Sequence, residues 1–537
     1  MLKHLYIFIF LFVNLSFAQN NLIEKIKTHL DYLGSDLFKG RGTGTTGGNL
    51  AAKYLAEEFS KSNLIPIINN GTFYQNIPLH AFKPATTSKI ILYSNNSSDT
   101  LTINNDFVVF QVTEDFSSNR TLDAVFVGYG INAPEYDYND YLSINVEGKV
   151  AVMLEGEPIS DDISFFEGKK ETIYSSLAVK LRLALSKGAR GCIVVPNPLN
   201  NTPAYWNSLK QTYSFEHLSL AYSSNVNLGI IINFQKAALL FQNSKYSLNE
   251  LLKLTKEHKI YNFPLAVKIS ISGSYKRRDF LAPNIIGKIN GSDDKLQDKY
   301  ILVSAHYDHL GVGEKIKGDS IYNGVYDNAS GVAALLALTD FFSINKPKHS
   351  IIFLLTTGEE AGLLGSSYYA ANPPVPLYKT IANINIDGMS SFDSVKGIIG
   401  IGAEYSTLLK ILEQTALKNN VSVDRIPEIF YQSEAFKHSD QISFADAGIP
   451  SILISESINY KNLTYEEGLN KYIKYITEIY HTPFDDLTLP INFNAFIQHL
   501  NIIKDFISIL DNNSEEPEWN EGVSYSIERL RTKAEKR

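Results

Sequence analysis

From about residue 282 onward, apolar runs alternate with helical patterns. Y-I-L-V-S-A (300–305), S-I-I-F-L-L-T (350–356) and T-I-A-N-I-N-I (380–386) read as buried strands. Between the first two, Ser330–Phe342 places Val332, Leu335, Leu336 and Leu338 at helical spacing. Continuous apolar strands separated by helices specify an α/β fold: a mainly parallel, mixed sheet flanked by helices on both faces. Nearer the N terminus a helix from about Asn49 puts Ala51, Tyr54, Leu55 and Phe59 on one face. The stretch before it, L-G-S-D-L-F-K-G-R-G-T-G-T-T-G-G (33–48), reads as a surface turn feeding that helix. No buried strand precedes it and no G-K-[ST] closes it, so a phosphate loop is unsupported.

Short strands such as K-I-I-L-Y and D-F-V-V-F follow over 83–119. A β-rich block at 115–265 then shows its own strand–helix alternation, including A-V-F-V-G-Y-G and G-C-I-V-V, and carries no cluster of metal-binding side chains. It reads as an inserted module. The expected organisation is 19–114 as the first part of the main domain, 115–265 as the insert, 266–512 as the catalytic remainder and 513–537 as a polar tail. That tail reads as a short solvated helix or a frayed end. At 537 residues the chain is too long for one ordinary domain.

Hydrophobic residues make up 44% and charged residues 20%, the balance of a packed globular protein. The net charge of −8 argues against nucleic acid as a partner. Residues 1–18 carry Lys3, an apolar run from Leu5 to Val13 and small residues at Ser16 and Ala18. They read as a signal peptide cleaved after Ala18, giving an exported, periplasmic or secreted, protein. The other reading, an uncleaved anchor, meets the difficulty that the run is short for a bilayer span. No later segment is long and apolar enough for a stable membrane anchor. The single cysteine, Cys192, excludes an internal disulfide and reads as a core thiol. Sequons such as Asn70-Gly71-Thr72 read as chance matches in a chain rich in Asn, Ser and Thr.

The chemistry gathers at strand ends. In open α/β sheets ligands bind outside the carboxyl ends of strands. His306 follows I-L-V-S-A, Glu359 and Glu360 follow I-I-F-L-L-T-T-G, and Asp387 follows I-A-N-I-N-I. Asp327 precedes N-A-S-G at a helix start; alone it would read as an N-cap, but it stands between two strand-end ligands. Adjacent carboxylates at a buried strand end repel unless a cation is near. Of the pair Glu359-Glu360, one binds metal and the other faces the bound water. His481 lies far along, in Y-H-T-P-F-D-D. Charge supports two cations: Asp327, Glu359, Glu360 and Asp387 supply four negatives, with His306 and His481 bound neutral. Asp308 is placed to accept the second N–H of His306. Nitrogen and oxygen donors without thiolate favour two Zn²⁺, with Co²⁺ or Mn²⁺ able to substitute. His309 and His438 read as structural or substrate-rim residues, and Glu404 and Glu434 as solvated acids.

H-Y-D-H-L-G, G-V-Y-D-N-A-S-G-V-A, T-G-E-E-A-G-L-L-G-S, N-I-D-G-M and H-T-P-F-D, in this order over 285–510, and to a lesser degree the helix entry R-G-T-G-T-T-G (41–47), resemble the co-catalytic di-zinc aminopeptidase family, which includes aminopeptidase Y, bacterial leucyl aminopeptidases and glutamate carboxypeptidase II. The resemblance implies a zinc-exopeptidase fold and peptide substrates trimmed from the N terminus. It implies that Asp327 bridges two metals, that Glu360 and His481 complete one and His306 and Asp387 the other, that Glu359 is the general base and that Asp308 orients His306. V-F-V-G-Y-G-I-N-A-P-E-Y and N-V-E-G-K-V-A-V resemble a protease-associated domain, whose family role is to cover or shape substrate access. In S-D-Q-I-S-F-A-D-A-G-I-P (439–450) Gln441 replaces a histidine frequent in the family, which bears on pocket detail and not on metal binding. Alternatives are a carboxypeptidase-like or glutaminyl-cyclase-like member, or a receptor-like binding protein of the same fold. Oligomeric state has no signal in the sequence.

Overall fold

The computed structural model describes residues 19–535 except 69–70, 96, 113–120, 169–170, 223–227, 257–260, 391 and 428–434. The leader at 1–18, Asn70 and Glu434 fall outside the described residues. The chain divides into two units, one holding residues up to Pro78 and from Phe280 onward, the other Leu79–Asp279.

In the first unit the expected apolar runs form one sheet. Its strands are β1 (Tyr275–Ile289, entering this unit at Phe280), β2 (Tyr300–His306), β3 (Ser350–Thr356), β4 (Thr380–Asn385), β5 (Gly397–Ile401), β6 (Ser422–Val423) and β7 (Ser451–Glu456), in the order β1-β3-β2-β4-β7-β5-β6. β3, β2, β4 and β7 run parallel, while β1 joins β3 and β5 joins β7 antiparallel. This is the mixed α/β sheet expected. Side chains alternate across the pleat, and both faces are covered, so the strands are apolar throughout. Ile301, Val303, Ala305, Ile351, Phe353 and Leu355 enter the core shared with α1 (Thr46–Lys61), α2 (Gly331–Ile344) and the helix Phe493–Asn512. Leu302, Ile352 and Leu354 pack on the other face with Tyr369, Phe444 and Ile449. α2 buries all of Val332 to Thr339, as a helix closed in on every side must.

Three expectations need correction. The glycine-rich stretch is not a surface turn: Phe38 and Arg41 are at most 1% exposed. Gly40 takes φ +67°, and a Cβ there would lie 2.2 Å from the Tyr322 carbonyl oxygen, so glycine alone lets the segment press against the ribbon of Gly311–Ile316 and Asp319–Tyr322. At the C-terminal segment the short-helix reading holds and the frayed one does not. Trp519 donates its indole N–H to the Gly448 carbonyl at 3.0 Å, and the helix Tyr525–Ala534 buries Arg529 and Thr532.

The third correction concerns the insert, which is wider than 115–265. Lys89–Tyr93 pairs with Asn262–Ser272, and Phe107–Val112 with Leu228–Ile232, so these early strands belong to the second unit. At the centre of its eight-stranded sheet, Leu122–Val127, Val150–Leu154, Gly191–Val195 and Leu228–Ile232 run parallel. Cys192 is 1% exposed in this core, and burial pushes its thiol up to about 12.

Candidate metal centre

The carboxyl ends of β2, β3 and β4 bring together the residues that the sequence leaves up to 175 positions apart. His306 closes β2, Glu359 and Glu360 lie just past β3, and Asp387 lies two residues past β4. Asp327 sits in the turn Val325–Ser330 that leads into α2 with non-helical φ −112° and ψ 93°. It is not the cap of α2: Asn328 Oδ1 accepts the Gly331 N–H at 3.0 Å instead. His481 follows the helix Tyr465–Glu478, takes φ +55°, and its ring stacks on Tyr480 at 3.8 Å between centroids.

Asp327 faces two ways. Its Oδ1 is 3.3 Å from His306 Nε2, and its Oδ2 is 3.1 Å from His481 Nε2. His306 Nε2 is also 3.2 Å from Asp387 Oδ1, and His481 Nε2 is 3.0 Å from Glu360 Oε2. Two donors on one tetrahedral metal, each at about 2.0–2.1 Å, stand about 3.3 Å apart. The four separations therefore fit two adjacent ions with Asp327 between them. Among the described residues, His306, Glu359 and Asp387 form one group and His309, Asp327 and Glu360 another, each with ligand atoms within 4.8 Å of one another.

Electrostatics separate the two adjacent glutamates. Burial, reinforced by Asp387, Glu360 and Asp440, raises the Glu359 carboxyl well above its ordinary range. Burial would raise Glu360 too, but His481 and His309 hold it down at about 2. Asp327 is likewise held well below its ordinary value, against burial, by hydrogen bonds from His306 and His481 and by the charge of His309. Burial works against protonation of His306 and His481, yet Glu359 and Asp387 raise the first, and Glu360 and Asp327 the second, well above 6.5. The carboxylates of the cluster favour positive charge at this place.

Two sequence expectations change here. Asp308 does not orient His306 through its carboxylate. His306 Nδ1 is 3.2 Å from the Asp308 main-chain carbonyl and 3.8 Å from its Oδ1. The carboxylate is engaged elsewhere, by the Thr43 hydroxyl at 2.9 Å and the Glu359 N–H at 3.3 Å. For His309 the structural reading stands and the rim reading does not: it is 1% exposed, but its Nδ1 lies 2.5 Å from Glu360 Oε1, a contact with the centre that the sequence did not suggest. His438 and Glu404 are exposed and outside both groups.

Other residues of the centre went unread in the sequence. Asp485, fully buried, accepts the N–H groups of Tyr326 and Asp327 at 2.8 and 3.0 Å and so sets the bridging residue's backbone. Its signal was its place four residues after His481 in H-T-P-F-D. Asn328 fastens the Asp387 loop, accepting from Gly388 N–H at 2.9 Å and donating to the Ile386 carbonyl at 2.9 Å. Gln441, which the sequence does mark as standing in place of a histidine, accepts from Asn385 Nδ2 at 3.0 Å and donates to the Phe436 carbonyl at 2.9 Å.

Residues 284–507 match the profile of Peptidase family M28. A probable zinc metalloprotease of Pyrenophora tritici-repentis is 38% identical over 112 residues, 21% of this chain and 24% of that protein. A vacuolar membrane protease of Candida dubliniensis is 28% identical over 235 residues, 43% of this chain and 21% of that protein. The match thus spans under a quarter of either relative's length. In three dimensions the chain is similar to the aminopeptidase from Aneurinibacillus sp. strain AM-1, with TM-score 0.55, 17% identity, and 93% of this chain and 98% of that one covered. No described helix is long and apolar enough to cross a membrane.

Proposed function

We propose, from the match of residues 284–507 to the profile of Peptidase family M28, that the protein is a two-zinc aminopeptidase that releases N-terminal residues from peptides. The observation that carries this reading is the two-sided Asp327, with His306 and Asp387 on one side and His481 and Glu360 on the other. These five residues would hold the pair of ions. When bound, two zinc ions supply Lewis-acid activation of water and of the scissile carbonyl.

The chain's own residues do the rest. Glu359, the glutamate with the raised carboxyl, takes the proton of the attacking water at its carboxylate and passes it to the leaving amine. Glu360, already held ionised, stays a ligand. The Asp308 carbonyl holds His306 with Nε2 toward the metal, so the imidazole binds neutral. Burial of the cluster keeps bulk water from screening these charges. We assign the unit Leu79–Asp279 as a protease-associated-like module, and the leader at 1–18 as the signal that exports the enzyme.

Hydrolysis of aminoacyl chromogenic substrates, measured before and after chelation and zinc add-back, tests the reading. Loss and recovery of aminopeptidase activity is expected. Cleavage confined to N-blocked substrates with a free C-terminal carboxylate would assign a carboxypeptidase instead, and cyclisation of N-terminal glutamine would assign a cyclase.

A further inference from the structure

Arg41 is a large, wholly buried cation in the first unit, 0% exposed. Its hydrogen bonds go to main-chain carbonyls. Nε donates to Tyr307 at 2.8 Å, Nη1 to Leu33 at 2.9 Å and Asn323 at 2.6 Å, and Nη2 to Gly324 at 2.8 Å. Tyr307 lies between His306 and Asp308, and Asn323 and Gly324 open the turn that carries Asp327. One planar fork thus ties together the two loops whose side chains, His306 and Asp327, approach to 3.3 Å.

The neighbourhood is built for this. Lys39, Gly40 and Arg41 all take left-handed backbone conformations, with φ of +45°, +67° and +50°. Non-glycine residues hold such angles only where their surroundings over-determine them. Gly324 takes φ +62°, and a Cβ there would meet the Asp327 carbonyl oxygen at 2.1 Å and the His309 ring at 2.4 Å. Two residues after Arg41, the Thr43 hydroxyl donates to Asp308 Oδ2 at 2.9 Å, and the Asp308 main chain in turn receives His306 Nδ1. Burial is the main force on the guanidinium, lowering it to about 10, while the carboxylates of Asp485, Asp327, Asp308 and Glu360 favour its charge. A buried charge is tolerated where it is fully hydrogen-bonded and faces opposite charge.

We infer that the segment Arg41–Thr43 positions the metal centre, with Arg41 fixing the spacing of the His306 and Asp327 loops through their carbonyls and Thr43 fixing Asp308. This rests on the two-metal reading above. Arg41 and Thr43 touch neither metal nor substrate and act through the loops they hold. Lysine cannot replace the fork, since it offers one point of donors in place of a planar array.

The test uses the full chain as Arg41→Lys and Thr43→Val, beside wild type. Zinc affinity is read by competition with a chromophoric chelator, the ligand field by Co²⁺ absorption, and folding by melting of the metal-free protein. Arg41→Lys should weaken zinc binding about tenfold or more, within the range of residues that orient metal ligands, and shift the Co²⁺ bands; Thr43→Val, which loses one hydrogen bond a step further from the metal, should weaken zinc several-fold. A residue that only stabilised the fold would lower the metal-free melting temperature and leave affinity and spectrum alone. Thr43→Val removes a single hydroxyl and keeps its shape, so it decides the matter should Arg41→Lys fail to fold. Zinc affinities within twofold of wild type and unshifted Co²⁺ bands overturn the inference. A wild-type chain that takes up no zinc overturns the two-metal reading with it, and that outcome is visible in the wild-type arm alone.

Discussion

His309 holds Glu360. Its Nδ1 lies 2.5 Å from Oε1, leaving Oε2 turned to His481 at 3.0 Å. The carboxylate therefore offers one defined oxygen to the metal side, and its other oxygen is occupied. Replacing His309 with Phe keeps the ring and removes the hydrogen bond. Zinc affinity should fall roughly ten- to a hundredfold, as for other residues that orient ligands. His309→Asn, whose amide can stand where Nδ1 stood, should recover part of the loss. Equilibrium dialysis against a zinc buffer checks both variants. Equal affinity in all three proteins would show that His309 is only a packing residue.

Glu359 and Glu360 are neighbours in sequence with opposite electrostatics, and their substitutions should differ in kind. Glu359→Gln should lower kcat by about 10²–10⁴, the usual contribution of a general base, with zinc content unchanged. Glu360→Gln should lose zinc first and activity as a consequence. Metal analysis beside steady-state kinetics separates the two, and near-normal turnover by Glu359→Gln would remove it as the base.

Zinc binding should release protons. The neighbouring carboxylates, Glu359 and Asp387 for His306 and Glu360 and Asp327 for His481, favour the protonated imidazoles over the neutral ones. An imidazole must shed that proton to bind metal. Calorimetry in buffers of different ionisation enthalpy should report a net release of protons on zinc binding near neutral pH. The release should fall as the pH rises through the raised histidine values. Binding without proton release would mean that the imidazoles are already neutral. Zinc at a hundred times its dissociation constant should also stabilise the fold by about 2.7 kcal/mol for each site filled.

Acid sensitivity should come in part from His499. Its Nδ1 accepts the Ser390 N–H at 3.0 Å, and its Nε2 donates to the Ile454 carbonyl at 3.0 Å, so the ring is neutral. Burial lowers it to about 4. Above pH 6.5 neither folded nor unfolded chain protonates this site, and it adds no pH dependence. As pH falls from 6.5 toward 4 the unfolded chain gains a proton that the folded one refuses, and up to about 3 kcal/mol of stability is lost. His499→Gln should flatten the fall in urea midpoint between pH 7 and pH 5. An unchanged slope would place the acid sensitivity elsewhere.

The strands, and the side chains gathered at their carboxyl ends, could be read from the chain because each signal is local. Apolar runs ending in His306, in Glu359-Glu360 and beside Asp387 show both the strand and its chemically active end. Side-chain direction could not be read. The His306–Asp308 spacing suggests a carboxylate partner, but only the folded loop shows Thr43 taking that carboxylate and the main-chain carbonyl taking its place. Asp485 and Arg41 escaped for the same reason, since each acts on backbone groups more than 150 residues away. The boundary of the insert was misplaced because Lys89–Tyr93 finds its partner at Asn262–Ser272, a pairing that no local pattern marks.

The central claim is that Asp327 stands between two metal ions. Anomalous diffraction at the zinc absorption edge, from crystals of the zinc-loaded full chain, tests it most directly. Two peaks about 3.5–4 Å apart, one beside His306 and Asp387 and the other beside His481 and Glu360, with Asp327 touching both, are the predicted result. A single peak, or zinc bound away from Asp327, would contradict it.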